Sequence, residues 1–170
     1  LGHNDIYPLM IFNNLFGGGM SSRLFQNIRE DRGLVYSIFS YPSFYICGGK
    51  FTVYACMKPS QAKNVADLVM EEIQKVTTQG VNRDEFETAR EQLKGNYILS
   101  LESSGSRMNA IGRSELLLGI LRTPEEILEK IDNTTIDDVI RAACSILDPN
   151  RRAVAVVGCE NVLEGCCIQN

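Results

Sequence analysis

Apolar positions recur so densely between Ile6 and Phe16 that a helix drawn through them is hydrophobic nearly all round, carrying Leu9, Met10, Phe12, Leu15 and Phe16. Such a helix has little polar surface to offer water and is expected at the centre of a core. Gly17, Gly18 and Gly19 stop it, and Ser21 or Ser22 can cap a second, short helix through Leu24, Phe25 and Ile28 that ends near Gly33. The glycines therefore read as a joint between two helices.

After Gly33 the period changes. "LVYSIFSYPSFY" and "KFTVYACM" are rich in β-branched and aromatic residues, and "CGG" at 47–49 supplies a turn between them, which predicts an antiparallel hairpin with Tyr36 opening its first strand. Pro59 then leads a long helix whose Val65, Leu68, Val69, Ile73 and Val76 repeat at helical spacing up to Gly80. Asn82 with Glu85 forms a capping box for another, with Phe86, Ala89, Leu93, Tyr97 and Leu101 on one face. "SSGS" at 103–106 breaks the pattern and "RMNAIGRSELLLG" resumes it. Thr123 with Glu126, and Thr135 with Asp138, each start a further helix. The apolar run "RAVAVVG" at 152–158 reads as a buried strand. Helices, hairpin, helices and strand in that order predict an α+β, two-layer domain over 1–158 with a polar tail over 159–170. Three strands make a thin sheet, so a further strand before Leu1 is expected.

At 170 residues the chain suits one domain that can bury a core without staples. Its 44% hydrophobic and 22% charged residues place it in the ordinary globular class, and no apolar run approaches the roughly 18 residues of a membrane helix. A net charge of -4 with both signs interspersed leaves no electrostatic footprint for nucleic acid. Six cysteines, Cys47, Cys56, Cys144, Cys159, Cys166 and Cys167, include no C-x-x-C pair and follow no signal peptide. They read as reduced thiols of a cytoplasmic protein, and the vicinal pair Cys166–Cys167 reads either as an incidental tail feature or as a redox or metal-capture element. The chain starts "LGHNDIYPLM", without an initiator Met, and reads like a piece of a longer polypeptide.

Candidate chemistry concentrates between Gly17 and Tyr36. A Walker loop needs G-x-x-x-x-G-K-[ST], and a dinucleotide fingerprint needs a strand before its glycines; a helix precedes these, and no Lys-Ser or Lys-Thr follows. The phosphate-cradle reading fails on both counts. The glycine-serine joint is accounted for by helix linkage alone, with close backbone approach to a partner as the alternative. Arg29 and Tyr36 lie seven residues apart, where helix gives way to strand. An Arg can fork onto a carbonyl, and a phenol can donate to a developing oxyanion. The structural alternative is an Arg29 ion pair with Glu30 or Asp31 and a Tyr36 that packs as an ordinary strand residue. His3 is the only histidine, so no zinc pair can be assembled from this chain and nucleophilic catalysis would have to recruit that one side chain. Glu71–Glu72, Glu125–Glu126 and Asp137–Asp138 read as solvated carboxylates on exposed helix faces or first turns.

The string "YPLMIFNNLFGGGMSSRLFQNIREDRGLVYSIFSY" resembles the second, zinc-free domain of the pitrilysin-type metallopeptidases, a family that includes bacterial processing proteases, mitochondrial processing peptidase and insulin-degrading enzyme. The resemblance continues through "GGKFTVYACM", "EFETAREQLKGNYILSLES", "SRMNAIGRSELLLG" and the terminal "VAVVG". It implies a two-layer α/β sandwich with a mixed, mostly antiparallel sheet packed by helices on one face. It also implies a first domain, upstream or in a partner subunit, that binds zinc through H-x-x-E-H and a further Glu; this chain would carry no metal. Carried over by position, Arg29 orients the substrate carbonyl and Tyr36 stabilises the oxyanion formed when zinc-activated water attacks, while Gly17, Gly18, Gly19 and Ser21 contact the peptide. By that reading the isolated chain is catalytically silent and self-associates or dimerises through faces a sister domain would cover. Two other readings stand beside it: an inactive scaffold or peptide-binding member of the same family, and a small-anion binder at the helix start after Gly19.

Overall fold

The computed structural model describes residues 5–158. His3 and the predicted tail, with Cys159, Cys166 and Cys167, lie outside the described residues. The chain forms α1 (Ile6–Phe16), a π-helix (Phe25–Glu30), strands β1 (Val35–Tyr45) and β2 (Gly48–Met57), and then α2 (Ala62–Gln79) and α3 (Arg83–Ser100). α4 (Ser104–Leu118), α5 (Pro124–Asp132) and α6 (Ile136–Ile146) follow. This is the helix-rich α+β arrangement expected from the pattern.

α1 is the hub. Its Ile11, Phe12, Leu15 and Phe16 are buried together with Leu24 and Ile28 of the next turns, Val35 and Ile38 of β1, Val65 and Val76 of α2 and Phe86, Ala89 and Leu93 of α3. Phe12 stacks on Phe16 with ring centroids 5.1 Å apart and meets Phe51 of β2 at 5.3 Å. A helix apolar on most sides can be satisfied only by neighbours on most sides, and α3, α6 and the hairpin supply them. All three expected capping boxes form, at Asn82 with Glu85, Thr123 with Glu126 and Thr135 with Asp138. Each needs only residues three apart in sequence.

β1 and β2 pair antiparallel with Phe39 opposite Tyr54 and Tyr41 opposite Thr52. Helices cover the face carrying Ile38, Ser40, Val53 and Ala55, whereas Phe39, Tyr41 and Tyr54 face outward. The turn is Ile46–Cys47, tighter than the 47–49 expected, because Gly48 and Gly49 already pair with Tyr45 and Phe44. A side chain at Gly49 would stand 2.9 Å from the Ser43 carbonyl oxygen, so the second glycine serves close strand approach.

Two expectations are corrected. Residues 152–157 form no strand, and Val154 and Val157 are exposed. A strand exists by pairing, and among the described residues the sheet consists of β1 and β2 alone, antiparallel rather than mixed, with nothing beside it for this segment to join. Glu72 is the second correction: it is 4% exposed, because it occupies the α2 stripe between Val65 and Val76 rather than the solvated face. α4, in turn, buries none of its residues and leaves Met108, Ile111 and Leu116 exposed.

Candidate functional site

The segment from Gly17 to Tyr36 is built on close contacts that only small residues permit. Gly17 is buried; a Cβ there would meet the Ser40 Oγ at 2.5 Å and the Ser40 backbone nitrogen at 2.8 Å. That nitrogen donates to the Gly17 carbonyl at 2.9 Å, and the Ser40 hydroxyl donates to Asn13 Oδ1 at 2.8 Å, so the joint is bonded to β1. Gly18 backs onto Asn13 and Asn14 in the same way, whereas Gly19 faces only the flexible Gln92 amide. Ser21 is exposed. Ser22 is buried, and its hydroxyl donates back to the Gly19 carbonyl instead of capping a helix.

The short helix that follows widens into a π turn: the Asp31 N–H donates to the Gln26 carbonyl, five residues back. It closes through Gly33, whose N–H donates to the Arg29 carbonyl and whose φ of 60° lies in the left-handed region, and Leu34 N–H reaches the Ile28 carbonyl. No neighbour crowds Gly33, so glycine is there for its backbone conformation alone.

Polar side chains fix this π-helix from both sides. Arg23 forks onto Glu85 at the start of α3, with Nε and Nη2 at 3.1 and 2.6 Å from the two carboxylate oxygens. Asn27 Nδ2 donates to the buried Glu72 of α2 at 2.5 Å, Lys75 donates to the same oxygen at 2.8 Å, and Arg32 donates to the Asn27 carbonyl. Between these ties lies an open polar depression of about 440 Å³. Burial alone would raise the Glu85 carboxyl, but the hydrogen bond and charge of Arg23 and the Asn82 N–H outweigh it and hold the group below its ordinary 4.5. A carboxyl with a lowered folded pKa stabilises the fold above its unfolded value and loses that contribution as pH falls through the folded one. The Tm difference between wild type and Glu85→Gln is therefore expected to be flat around neutrality and to shrink below pH 4.5. A difference that stays constant down to about pH 3 contradicts the pairing.

Arg29 and Tyr36 line neither this depression nor the smaller one of about 280 Å³ against α3; they are presented at an exposed edge. Among the described residues Arg29 forms no ion pair with Glu30 or Asp31, and its guanidinium instead lies over the Phe25 ring, 4.7 Å from the centroid. Tyr36 is 83% exposed. The strand register explains this: Val35 faces Met57 and Ser37 faces Cys56, so Tyr36 is the extra residue of a β-bulge. A bulge re-aims a side chain out of the alternation that would otherwise place it. Neither structural alternative for these two residues, an Arg29 ion pair or a strand-packed Tyr36, is what the structure contains.

Three features escaped sequence reasoning. Phe25 beneath Arg29 was visible as an aromatic four residues before a cation. Glu72 was visible as a carboxylate inside an apolar stripe. The bulge at Tyr36 has no signal in the residues around it.

Residues 1–93 match the family described as Peptidase M16 inactive domain. The chain is 40% identical over 139 residues to an uncharacterized zinc protease of Bacillus subtilis, covering 82% of this chain and 34% of that protein. It is 42% identical over 152 residues to one of Streptomyces coelicolor, covering 89% and 33%. A peptidase M16 inactive domain from Pseudomonas fluorescens superposes with a TM-score of 0.73 at 22% identity, over 81% of this chain and 33% of that one. The chain thus spans about a third of the length of these relatives.

Proposed function

The chain belongs to the peptidase M16 inactive-domain family, and from that premise we propose that it is the substrate-binding, metal-free half of a zinc-dependent endopeptidase. Among the described residues no three His, Cys, Asp or Glu side chains converge on a point that could hold a metal ion. The relatives are named zinc proteases, which supports a zinc-binding domain paired with this one as the source of the metal. The observation that carries the reading is Tyr36: a phenol lifted by a bulge to 83% exposure, beside the helix end that bears Arg29. In contact with a peptide, the phenol O–H donates to the oxygen on which negative charge develops, and the Arg29 fork holds a neighbouring carbonyl. Gly18, Gly19 and Ser21 offer backbone and hydroxyl groups to the same chain, while Gly17 is committed to Ser40 and sets where the joint sits.

The test is cleavage of an unstructured fluorogenic peptide by the complete protein that contains this domain. Turnover is expected with zinc bound, is lost on chelation and returns with added zinc. The domain alone is expected to cleave nothing. Cleavage by the isolated domain, or zinc-replete protein that binds peptide without cutting it, overturns the proposal; the second result points to a peptide-holding scaffold.

A further inference from the structure

The outward face of the hairpin is an aromatic platform that has no part in the chemistry proposed for Arg29 and Tyr36. Phe39 of β1 and Tyr54 of β2 stand opposite each other with stacked rings 4.9 Å apart, and Tyr41 joins Phe39 at 6.0 Å. All three are 40–47% exposed, although aromatic rings of this size are ordinarily covered. Lys50, near the hairpin tip, is the only charged residue between Val35 and Met57.

This surface differs in kind from the chain's other exposed apolar area. Around α4 and the segment after it, the exposed side chains are Met108, Ile111, Leu116, Ile120 and Leu121, a methionine and aliphatics of the sort that permanent subunit contacts bury. The hairpin face instead carries a phenylalanine between two tyrosines, whose hydroxyls, with those of Ser37 and Thr52 on the same face, add polar atoms to the apolar rings. Tyrosines of this kind supply contact area at low entropic cost and suit a partner that comes and goes. The platform is also continuous with the bulge: Tyr36, Phe39 and Tyr41 follow one another along β1. At about 3.3 Å per residue, Phe39 and Tyr41 lie roughly three to five extended residues from Tyr36.

We infer that the Phe39–Tyr41–Tyr54 face is a subsite for large aromatic or apolar side chains of an extended peptide, about three to five residues from the bond placed at Tyr36. The inference rests on the proposed function for the identity of the peptide as substrate, but its binding readout does not depend on cleavage. Covering the rings removes apolar surface from water without desolvating a charge, so the preference is for uncharged, bulky residues over Ser, Asn or Gly.

Two fluorescein-labelled twelve-residue peptides of equal charge test it on this chain, one rich in Phe, Tyr and Leu and the other in Ser, Asn and Gly. The first is expected to bind at least tenfold more tightly, and Phe39→Ser with Tyr54→Ser to abolish that preference. Because the double variant changes two strand residues, the unsubstituted chain supplies an independent measurement: the Phe39 and Tyr54 ring resonances shift on addition of the first peptide. Equal affinity for the two peptides, ring resonances that do not move, or an intact preference in a folded double variant each overturn the inference. So does a concentration-dependent dimer that the aromatic peptide dissolves and the double variant lacks, since the face then belongs to a second copy. Failure of the proposed function registers separately, as undiminished cleavage by Tyr36→Phe in the complete protein while the chain still prefers the aromatic peptide.

Discussion

Tyr36→Phe in the complete protein is expected to lower turnover about a hundredfold while leaving the unfolding temperature of the domain unchanged. The substitution removes one oxygen from a side chain that is 83% exposed, so no core contact is lost and no buried partner is stranded. The ring stays, the bulge stays, and the register of β1 on β2 is untouched. Under the proposed function what disappears is a donor to developing charge, and one such donor is worth about 2.7–4 kcal/mol once a paired domain shelters the site from water. Because the bond strengthens as charge accumulates, the loss falls on kcat, with KM close to its original value. A drop confined to KM would mean that Tyr36 merely holds the peptide. Unchanged kinetics would return Arg29 and Tyr36 to the status of surface residues and leave the family's fold without its chemistry in this chain.

How much of this was legible before the structure depends on the distance over which each feature is determined. The capping boxes at Asn82, Thr123 and Thr135 are decided within four residues, and all were readable. So was the hairpin, since alternation and the glycines near its turn act locally. The segment 152–157 was misread because apolar β-branched residues state only that a strand would be stable if paired, not that a partner strand is at hand. Glu72 was misread by composition: two adjacent glutamates look like a solvated face, yet one of them falls on the stripe of Val65 and Val76 and is satisfied by Asn27, 45 residues away. Type and spacing leave Arg29 and Tyr36 open between a functional and a structural reading. It is the family resemblance that singles them out, but the features that set them apart in the structure come from elsewhere. The register against β2 lifts Tyr36, and a π turn held to α2 and α3 carries Arg29. Long-range constraints of that kind leave no local trace in the chain.

The same logic makes Phe12 the residue whose loss the fold can least absorb. Phe12→Ala is expected to destabilise the domain by about 3–5 kcal/mol, a large share of the 5–15 kcal/mol typical of a folded domain. Phe12 is fully buried, stacks on Phe16 within α1 and meets Phe51 across to β2. Truncation therefore opens a cavity where the central helix touches the strand pair. The surrounding rings cannot collapse into it without moving the hairpin, and the hairpin is bonded through Ser40 to the Gly17 joint that leads to Arg29. Phe12→Leu, which keeps most of the volume, is expected to lose much less. In the complete protein Phe12→Ala should cleave poorly at 37 °C and recover toward wild-type turnover on cooling, as the folded fraction returns. Tyr36→Phe should stay slow at every temperature. If cooling does not restore the Phe12 variant although its circular dichroism shows it folded, the core is setting the geometry of Arg29 and Tyr36 directly, and packing beneath the hairpin belongs to the catalytic design as well as to stability.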